Sequence, residues 1–246
     1  MGSVLIVGGA TGIGRATALA MASDGHVVTL ADLDPAGAER VASEAQGTVV
    51  PVTCDVGTVD GPRSAVEAAV AAGGGLDTLV ANAGVLIAHP LAEWTVEDWD
   101  RSMAVNLRGP FLLAQAAAPH LTRSSNASIV FTASTGAFRG HAGMPAYAAS
   151  KAAIVNLVRA LADELSPSGI RVNAVCPGWI DTPFNDPHWE HQTDAAAARA
   201  DLERAIPMRR QGTPEDVVGA MRFLASSASA YVTGTALVVD GGYLAP

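Results

Sequence analysis

The sequence contains few charged, aromatic and cysteine residues. Of its 246 residues, 16% are charged and 5% are aromatic, and its two cysteines are Cys54 and Cys176. These two residues lie far apart in the chain, without the spacing of metal ligands or of a disulfide framework. We therefore expect two small buried thiols in a reducing compartment, with neither a disulfide scaffold nor a bound metal.

The chain also lacks a basic cluster and a long apolar run. Its formal net charge is −9, whereas nucleic-acid binding needs clustered Lys and Arg side chains. No apolar segment reaches the roughly 20 residues that cross a membrane. The N-terminal residues lack the basic region of a secretory signal peptide. The sequence thus predicts a cytoplasmic protein that binds neither nucleic acid nor membranes.

Short apolar runs alternate with Ala-rich stretches along the chain. The runs lack polar alternation, which is typical of strands buried on both faces. Alternating strands and helices predict a parallel sheet covered by helices on both faces. We therefore predict a single α/β domain over residues 1–246, doubly wound in the Rossmann manner, with about seven strands. Strands are expected at 3–8, 26–32, 48–53, 76–81, 127–133, 170–176 and 235–239, and helices near 13–23, 35–45, 60–72, 96–122, 147–166 and 215–226.

Residues 184–206 interrupt this alternation. The segment mixes aromatic residues, histidines, acids and an Ala run, and no strand follows it closely. An insertion of this kind after a strand usually forms a lid or is disordered, so we expect a substrate lid here. His188 and His191, with Glu190 between them, superficially resemble a metal pair. Such spacings arise by chance in polar lids, and we predict no metal.

A glycine-rich sequence near the N-terminus predicts a dinucleotide site. An apolar run at residues 4–7 leads into Gly-Gly-Ala-Thr-Gly-Ile-Gly at residues 8–14. Gly8 permits a tight turn, Gly12 lets the backbone approach a pyrophosphate, and Gly14 allows the following helix to pack closely on the sheet. The N-terminus of that helix supplies N–H groups for the phosphates.

The second strand ends at Asp32, eighteen residues after Gly14. A carboxylate at this place accepts hydrogen bonds from the adenosine ribose hydroxyls and repels a 2′-phosphate. No basic residue stands at Thr11 or Leu33 to bind that phosphate. The sequence therefore favours NAD over NADP.

Tyr147 and Lys151 are four residues apart, and Ser134 lies thirteen residues before the tyrosine. On a helix, positions i and i+4 share a face, and a nearby cation favours the phenolate over the phenol. Lowering a tyrosine pKa from about 10 to about 7 requires roughly 4 kcal/mol, more than one partly shielded ammonium supplies. The pair therefore needs a second positive charge. On its own, this spacing is common on helix surfaces.

Together these motifs resemble the short-chain dehydrogenase/reductase family, in its short single-domain branch, over essentially the whole chain. The glycine motif differs from that of the family because Val7 replaces a threonine. Ala81 likewise replaces the first asparagine of Asn-Asn-Ala-Gly. Other matching segments are Cys-Asp-Val at 54–56, Val-Asn-Leu at 105–107, Pro-Gly-Trp-Ile-Asp-Thr at 177–182 and Asp-Gly-Gly at 240–242. The resemblance assigns cofactor binding to Gly8, Thr11, Gly12, Ile13, Gly14, Asp32, Asp55, Val56, Asn82, Ala83, Gly84, Tyr147, Lys151, Pro177, Gly178, Ile180 and Thr182.

The resemblance also implies four catalytic residues: Asn106, Ser134, Tyr147 and Lys151. Oxidised nicotinamide would supply the second positive charge that the tyrosine needs. Tyr147 would take the alcohol proton while hydride passes to the nicotinamide, and Ser134 would stabilise the charge on the substrate oxygen. Lys151 would also hold the nicotinamide ribose, and Asn106 a water that links Lys151 to solvent.

The substrate pocket is the least determined part of the sequence. Its wall is expected to include Met144, Trp179, Phe184 and Trp189, which suit a substrate with some apolar surface. His141 is either a substrate contact or a solvated loop residue. Because lid loops vary independently of a catalytic core, the sequence does not specify the substrate.

The leading hypothesis is an NAD-dependent dehydrogenase of a secondary alcohol, or equivalently a ketone reductase. Reduction of 3-oxoacyl groups on an acyl carrier is an alternative, disfavoured by Asp32 and by the acidic composition. A non-catalytic, dinucleotide-sensing regulator is another, although it would not need four filled catalytic positions. Helices at 107–122 and 152–165 carry apolar residues on more than one face. These faces predict a homo-oligomer, and the family resemblance implies a tetramer.

Overall fold

A computed structural model describes residues 2–190 and 192–245. In these residues, seven strands form one parallel sheet in the order β3-β2-β1-β4-β5-β6-β7. Each predicted strand is present, with its ends within two residues of those expected. The strands are β1 Ser3–Val7, β2 Val27–Asp32, β3 Val49–Thr53, β4 Thr78–Ala81, β5 Ser128–Thr132, β6 Arg171–Pro177 and β7 Ala236–Val239.

Helices cover both faces of the sheet, as predicted. One face carries α1, α2 and α9, and the other carries α3, α5 and α6. The α-helices are α1 Gly12–Ser23, α2 Pro35–Glu44, α3 Gly61–Gly73, α4 Val96–Met103, α5 Gly109–Leu121, α6 Pro145–Leu165, α7 Asp186–Glu190, α8 Ala195–Ala205 and α9 Pro214–Ala225. Short 3₁₀ turns lie at Leu91–Glu93, Thr135–Ala137, Ser166–Ser168, Pro183–Asn185 and Ser227–Ser229.

Two apolar layers explain why the strands have no polar alternation. Successive residues of a strand point to opposite faces. In β1, Leu5 and Val7 enter the layer under α3, α5 and α6, whereas Val4 and Ile6 enter the layer under α1, α2 and α9. Every residue of β1 is buried. The central strands are therefore mostly apolar, and the buried polar residues Ser3, Thr78 and Ser128 stand at the first positions of β1, β4 and β5.

The strand order places a crevice at the carboxyl edge of the sheet. β1 lies between β2 and β4, so the connections that leave β1 and β4 turn to opposite faces. Ligands of doubly wound sheets bind in the crevice that this divergence opens. The structure thus positions a binding site before any side chain is considered.

The helix predicted at 96–122 is interrupted in the structure. α4 and α5 are separated by a π-helical segment, Ala104–Arg108. Pro110 in the first turn of α5 has no N–H, so it cannot donate to the Asn106 carbonyl four residues before it. At Gly109, a Cβ would lie 2.5 Å from the Val56 carbonyl oxygen. The π-helical segment therefore has two causes. Pro110 lacks an N–H donor, and the backbone at Gly109 lies close to the Val56 carbonyl.

The segment predicted as a lid is helical in the described residues. It contains the turn Pro183–Asn185 followed by α7 and α8. The Arg199 guanidinium lies 4.5 Å from the centre of the Trp189 ring and 3.6 Å from the Asp181 carboxylate. These contacts attach α8 to α7 and to the chain after β6. In the described part of the chain, no helix is long and apolar enough to cross a membrane.

Asn82 connects three strand ends, and its removal should weaken the fold. Its side-chain amide donates to the Gly8 carbonyl at 2.6 Å, and its side-chain oxygen accepts from the Thr132 hydroxyl at 2.9 Å. Without the Asn82 side chain, the Gly8 carbonyl and the Thr132 hydroxyl lose these hydrogen bonds, which lowers the free energy of unfolding by about 1–3 kcal/mol. Asn82→Ala should therefore lower the Tm in a thermal melt. Thr132→Val removes only one of these hydrogen bonds and should therefore lower the Tm less than Asn82→Ala does. An unchanged Tm in Asn82→Ala would contradict this role.

Candidate active site

A cleft of about 380 Å³ opens at the carboxyl edge of the sheet. Its lining comes from the glycine loop after β1, the ends of β2 and β3, the loop after β4, and the segments after β5 and β6. All of the predicted cofactor-binding residues line this cleft except Gly14. Elements that are distant in sequence therefore meet at one place.

The glycine loop has the geometry that its sequence predicts. Gly8 and Gly12 have φ angles of 84° and 53°, a conformation that side-chain-bearing residues rarely adopt. A Cβ on Gly14 would collide with the Gly8 carbonyl oxygen. Gly14 therefore lies behind the cleft, where it permits α1 to pack on the loop. The N-terminus of α1 begins at Gly12, at the cleft surface.

Asp32 ends β2, which β1 and β4 separate from β5 and therefore from the strand end beside Lys151 and Tyr147. One carboxylate oxygen accepts from the Ala10 N–H at 2.8 Å and the other from the Asp34 N–H at 3.0 Å. The nearby Arg40 is 3.6 Å from Asp34. The Asp32 carboxylate is thereby fixed in direction by two backbone groups, beside the exposed Leu33.

Tyr147 and Lys151 lie in the first two turns of α6. Pro145 occupies the first helical position, where its missing N–H is not needed. The Lys151 ammonium is 5.7 Å from the centre of the Tyr147 ring. It donates to the Thr132 carbonyl at the end of β5, at 2.8 Å, and the residue is only 3% exposed. The strand end therefore holds the lysine against the tyrosine.

Burial drives both groups of this pair toward their neutral forms. Desolvation raises the pKa of Tyr147 to about 12, although the neighbouring Ser134 hydroxyl opposes it. Desolvation lowers the pKa of Lys151 to about 8. Lys151 therefore does not by itself bring the phenol pKa near neutrality. The sequence predicts that a second positive charge is needed to lower the phenol pKa. Because burial raises this pKa further, the charge is needed even more in the folded protein.

Ser134 lies just after β5, with its side chain beside Tyr147. Its hydroxyl oxygen accepts from the Gly136 N–H at 3.0 Å, which fixes its position. Ser134 is close enough to the phenol to lower the pKa of Tyr147. The hydroxyl and the phenol thus lie side by side on the cleft wall.

Asn106 lies behind the cleft, in the π-helical segment, and is fully buried. Its side-chain oxygen accepts from the Val85 N–H at 2.8 Å, and its amide donates to the Val85 carbonyl at 2.9 Å. A Cβ on Gly84 would lie 3.4 Å from the Asn106 side-chain oxygen and 3.7 Å from the Lys151 nitrogen. Asn106 therefore fixes the loop after β4 beside Lys151.

The cleft brings together four of the five side chains predicted for the substrate pocket. His141, Met144, Trp179 and Phe184 line the cleft, and the Phe184 ring lies 5.8 Å from that of Tyr147. Trp189 does not line it. Trp189 is buried behind Trp179, with 5.4 Å between ring centres.

Several residues that line the cleft were not predicted from the sequence, among them Leu86, Arg101 and Thr135. Leu86 could have been found as the first large apolar residue after the 81–84 motif. Of the histidines considered as a metal pair, His191 lies outside the described residues. His188 packs against Trp179 at 4.8 Å. Within residues 2–190 and 192–245, no three His, Cys, Asp or Glu side chains are grouped as metal ligands.

Comparison with known proteins identifies the family. A family model described as enoyl-(acyl carrier protein) reductase matches residues 8–244. The chain is 37% identical to a short-chain type dehydrogenase/reductase from Mycobacterium marinum, whose crystal structure superposes with a TM-score of 0.91 over 99% of this chain and 95% of that one. The chain belongs to the short-chain dehydrogenase/reductase family. It is an oxidoreductase of this family, whose members bind nicotinamide dinucleotides.

Two curated relatives differ in substrate. The chain is 38% identical to 3-oxoacyl-[acyl-carrier-protein] reductase FabG of Thermotoga maritima, over 97% of this chain and 96% of the relative. It is also 38% identical to cis-4-hydroxycyclohexanecarboxylate dehydrogenase of Sinomonas cyclohexanicum, over 98% of this chain and 96% of the relative. Family membership therefore leaves the substrate open.

Lys151 is the only lysine in the sequence, so amine modification can report its protonation. Because burial lowers its pKa to about 8, acetylation of the dinucleotide-free protein should reach half its maximal rate near pH 8. Peptide mass spectrometry separates this site from the N-terminal amine. The same protein in denaturant is the control, with an expected midpoint near the usual lysine pKa of about 10.4. The same high midpoint in the folded protein would contradict the effect of burial.

Proposed function

We propose that this protein is an NAD-dependent dehydrogenase of secondary alcohols, and equivalently a ketone reductase. One observation carries the proposal: Ser134, Tyr147 and Lys151 meet at one end of a cleft whose other end presents Asp32. The first group of residues suits proton transfer at a carbinol oxygen. Asp32 suits a dinucleotide ribose.

The cleft fits a nicotinamide dinucleotide. The positive φ angles of Gly8 and Gly12 and the open N-terminus of α1 form a cradle for a pyrophosphate. Asp32 would hold the adenosine ribose, Asp55 and Val56 would border the adenine, and residues 177–182 would border the nicotinamide. When bound, the dinucleotide accepts a hydride from the substrate carbon or returns one to it.

Tyr147 is the proposed general acid and base. In alcohol oxidation its phenolate oxygen takes the carbinol proton, and in ketone reduction its phenol returns that proton to the oxygen. The Ser134 hydroxyl donates to the same substrate oxygen and stabilises its negative charge. Lys151 favours the phenolate through its positive charge and holds the nicotinamide ribose.

Asn106 is proposed to link Lys151 to solvent. Both polar groups of its side chain bond to Val85, so they are not free to hold a water. Its backbone carbonyl lacks an i+4 donor because Pro110 has no N–H. This carbonyl is therefore the proposed acceptor for a water that passes protons between Lys151 and solvent.

Tyr147→Phe tests the proposed acid–base role. It removes the phenol oxygen and keeps the ring, so turnover should fall by about 10²–10⁴-fold or more. NADH binding, followed by its fluorescence, should stay within about threefold. The assay follows NADH absorbance with the best substrate from a panel of alcohols and ketones. Substantial remaining turnover would exclude Tyr147 as the acid and base.

The preference for NAD is proposed to depend on the charge of Asp32. Asp32→Asn removes the charge and keeps an oxygen that can accept from the loop N–H groups. The ratio of kcat/KM for NAD over NADP should fall at least about tenfold, because the repulsion of the 2′-phosphate is lost. Asp32→Glu keeps the charge and should keep the direction of the preference. An unchanged ratio in Asp32→Asn would remove Asp32 from this explanation.

Reduction of 3-oxoacyl groups on an acyl carrier is the second candidate, favoured by the similarity to the Thermotoga maritima reductase. Asp32 and the net charge of −9 speak against it, since an acidic carrier protein requires basic surface. Higher kcat/KM for a 3-oxoacyl thioester with NADPH than for simple ketones with NADH would select this candidate.

A homo-oligomer, a tetramer by family resemblance, is proposed to cover an apolar groove. The groove is lined by Met103, Leu107 and Phe111 together with Leu157 of α6, and Phe111 is 38% exposed. Light scattering after size exclusion should give about 100 kDa, four times the 25.0 kDa chain. Phe111→Arg should reduce this mass. A 25.0 kDa species for the unmodified protein would refute the proposal.

A further inference from the structure

We infer that the preferred substrate is a compact, ring-shaped ketone or alcohol that carries a second, uncharged oxygen, and that His141 binds this oxygen. This inference rests on the function proposed above and concerns the outer wall of the same cleft. That wall is formed by Leu86, His141, Met144, Trp179 and Phe184. Its composition distinguishes between substrates that the catalytic residues would treat alike.

His141 is held in position by aromatic rings and is not a solvated loop residue. Its ring packs edge-on against Trp179, with centres 5.5 Å apart. It also stacks on Tyr243, with centres 6.3 Å apart and planes inclined by 12°. Tyr243 is itself buried, with the Arg139 guanidinium 4.8 Å from its ring centre. Residues from the 138–144 loop, the segment after β6 and the C-terminal segment thus fix the imidazole on the cleft wall.

The imidazole is available for hydrogen bonding. Burial lowers the pKa of His141, and the charges of Arg139 and His188 lower it further, so the neutral imidazole is favoured. A neutral imidazole has one donor and one acceptor nitrogen. Neither nitrogen forms a hydrogen bond within residues 2–190 and 192–245. When a substrate displaces water from the cleft, an unpaired ring nitrogen costs free energy unless the substrate supplies a partner.

The rest of the wall favours a compact apolar skeleton. Phe184 and Trp179 present aromatic rings, and Leu86 and Met144 present aliphatic surface. A six-membered carbon ring can cover such surface with its faces. A polyol would place several hydroxyls there, each losing its water without a replacement partner. The wall therefore suits a substrate with few oxygen atoms, and His141 lies where the second substrate oxygen would bind.

The second oxygen is inferred to be uncharged because none of the described residues that form the outer wall is a Lys or an Arg. Arg139 is exposed and does not line the cleft, and Arg199 is occupied by Trp189 and Asp181. Arg101 does line the cleft, but it lies one helical turn before Val105, which contacts the 55–57 segment. The inference therefore assigns Arg101 to the end of the cleft beside the 55–57 segment.

The experiment compares cyclohexanone with cyclohexane-1,4-dione, using NADH and the full-length protein. The two compounds differ by one neutral oxygen across the ring. One neutral hydrogen bond changes kcat/KM by about tenfold, so we expect the dione to be preferred by about that factor, beyond the twofold gain from its two equivalent carbonyls. The preference should fall about tenfold in His141→Leu and should largely persist in His141→Gln, which keeps a donor and an acceptor.

His120→Leu is the matched control. His120 lies at the C-terminal end of α5, the end away from Asn106 and the cleft, so the ratio of the two ketones should not change. A ratio that is equally unchanged in His141→Leu would overturn the role of His141. A higher kcat/KM for 4-oxocyclohexanecarboxylate than for the dione would overturn the uncharged second oxygen.

Further outcomes separate this inference from the function on which it rests. A higher kcat/KM with NADH for an open-chain ketone than for both cyclic ketones would overturn the substrate class and leave the alcohol dehydrogenase proposal standing. A 3-oxoacyl thioester preferred over all ketones would overturn both in favour of the second candidate. Tight NADH binding with no turnover of any of these compounds would refute the proposed function itself, and the inference with it.

Discussion

The burial of Lys151 beside Tyr147 is the constraint on which the rest of the site depends. A buried ammonium is unfavourable unless it is hydrogen-bonded, and here it donates to the Thr132 carbonyl at the end of β5. No carboxylate contributes to its pKa shift, so its pKa falls to about 8 while that of Tyr147 rises to about 12. The two groups are therefore poised to respond to a positive charge that arrives with the cofactor.

The fold delivers this pair to a place where a dinucleotide can reach it. The divergence of the chain after β1 and β4 opens the crevice, and Asn82 ties the strand ends on either side of it. The π-helical segment then brings Asn106 behind the loop at Gly84, close to Lys151. The geometry of the candidate site therefore depends on hydrogen bonds to the backbone at strand ends as much as on the side chains that line the cleft.

Much of the fold could be predicted because its signals are local. Strands buried on both faces are largely apolar, and the glycine loop has a spacing set by backbone geometry, so both are visible in the sequence. The π-helical segment was not predicted, because it depends on the approach of Gly109 to Val56 as well as on Pro110. The position of Trp189 outside the cleft lining was not predicted, because the sequence does not show that Trp189 packs, buried, against Trp179. The aromatic surroundings of His141 join three distant segments, which no local pattern reveals.

The central claim is that Tyr147 does not ionise near neutral pH until a second positive charge joins Lys151. A pH titration of phenolate absorbance tests it directly, taken as the difference between the unmodified protein and Tyr147→Phe, first without dinucleotide and then with saturating NAD. The structure predicts that Tyr147 stays protonated to above about pH 10, the usual tyrosine pKa, in the dinucleotide-free protein, and ionises at clearly lower pH with NAD bound. Ionisation near pH 7 without dinucleotide would contradict it.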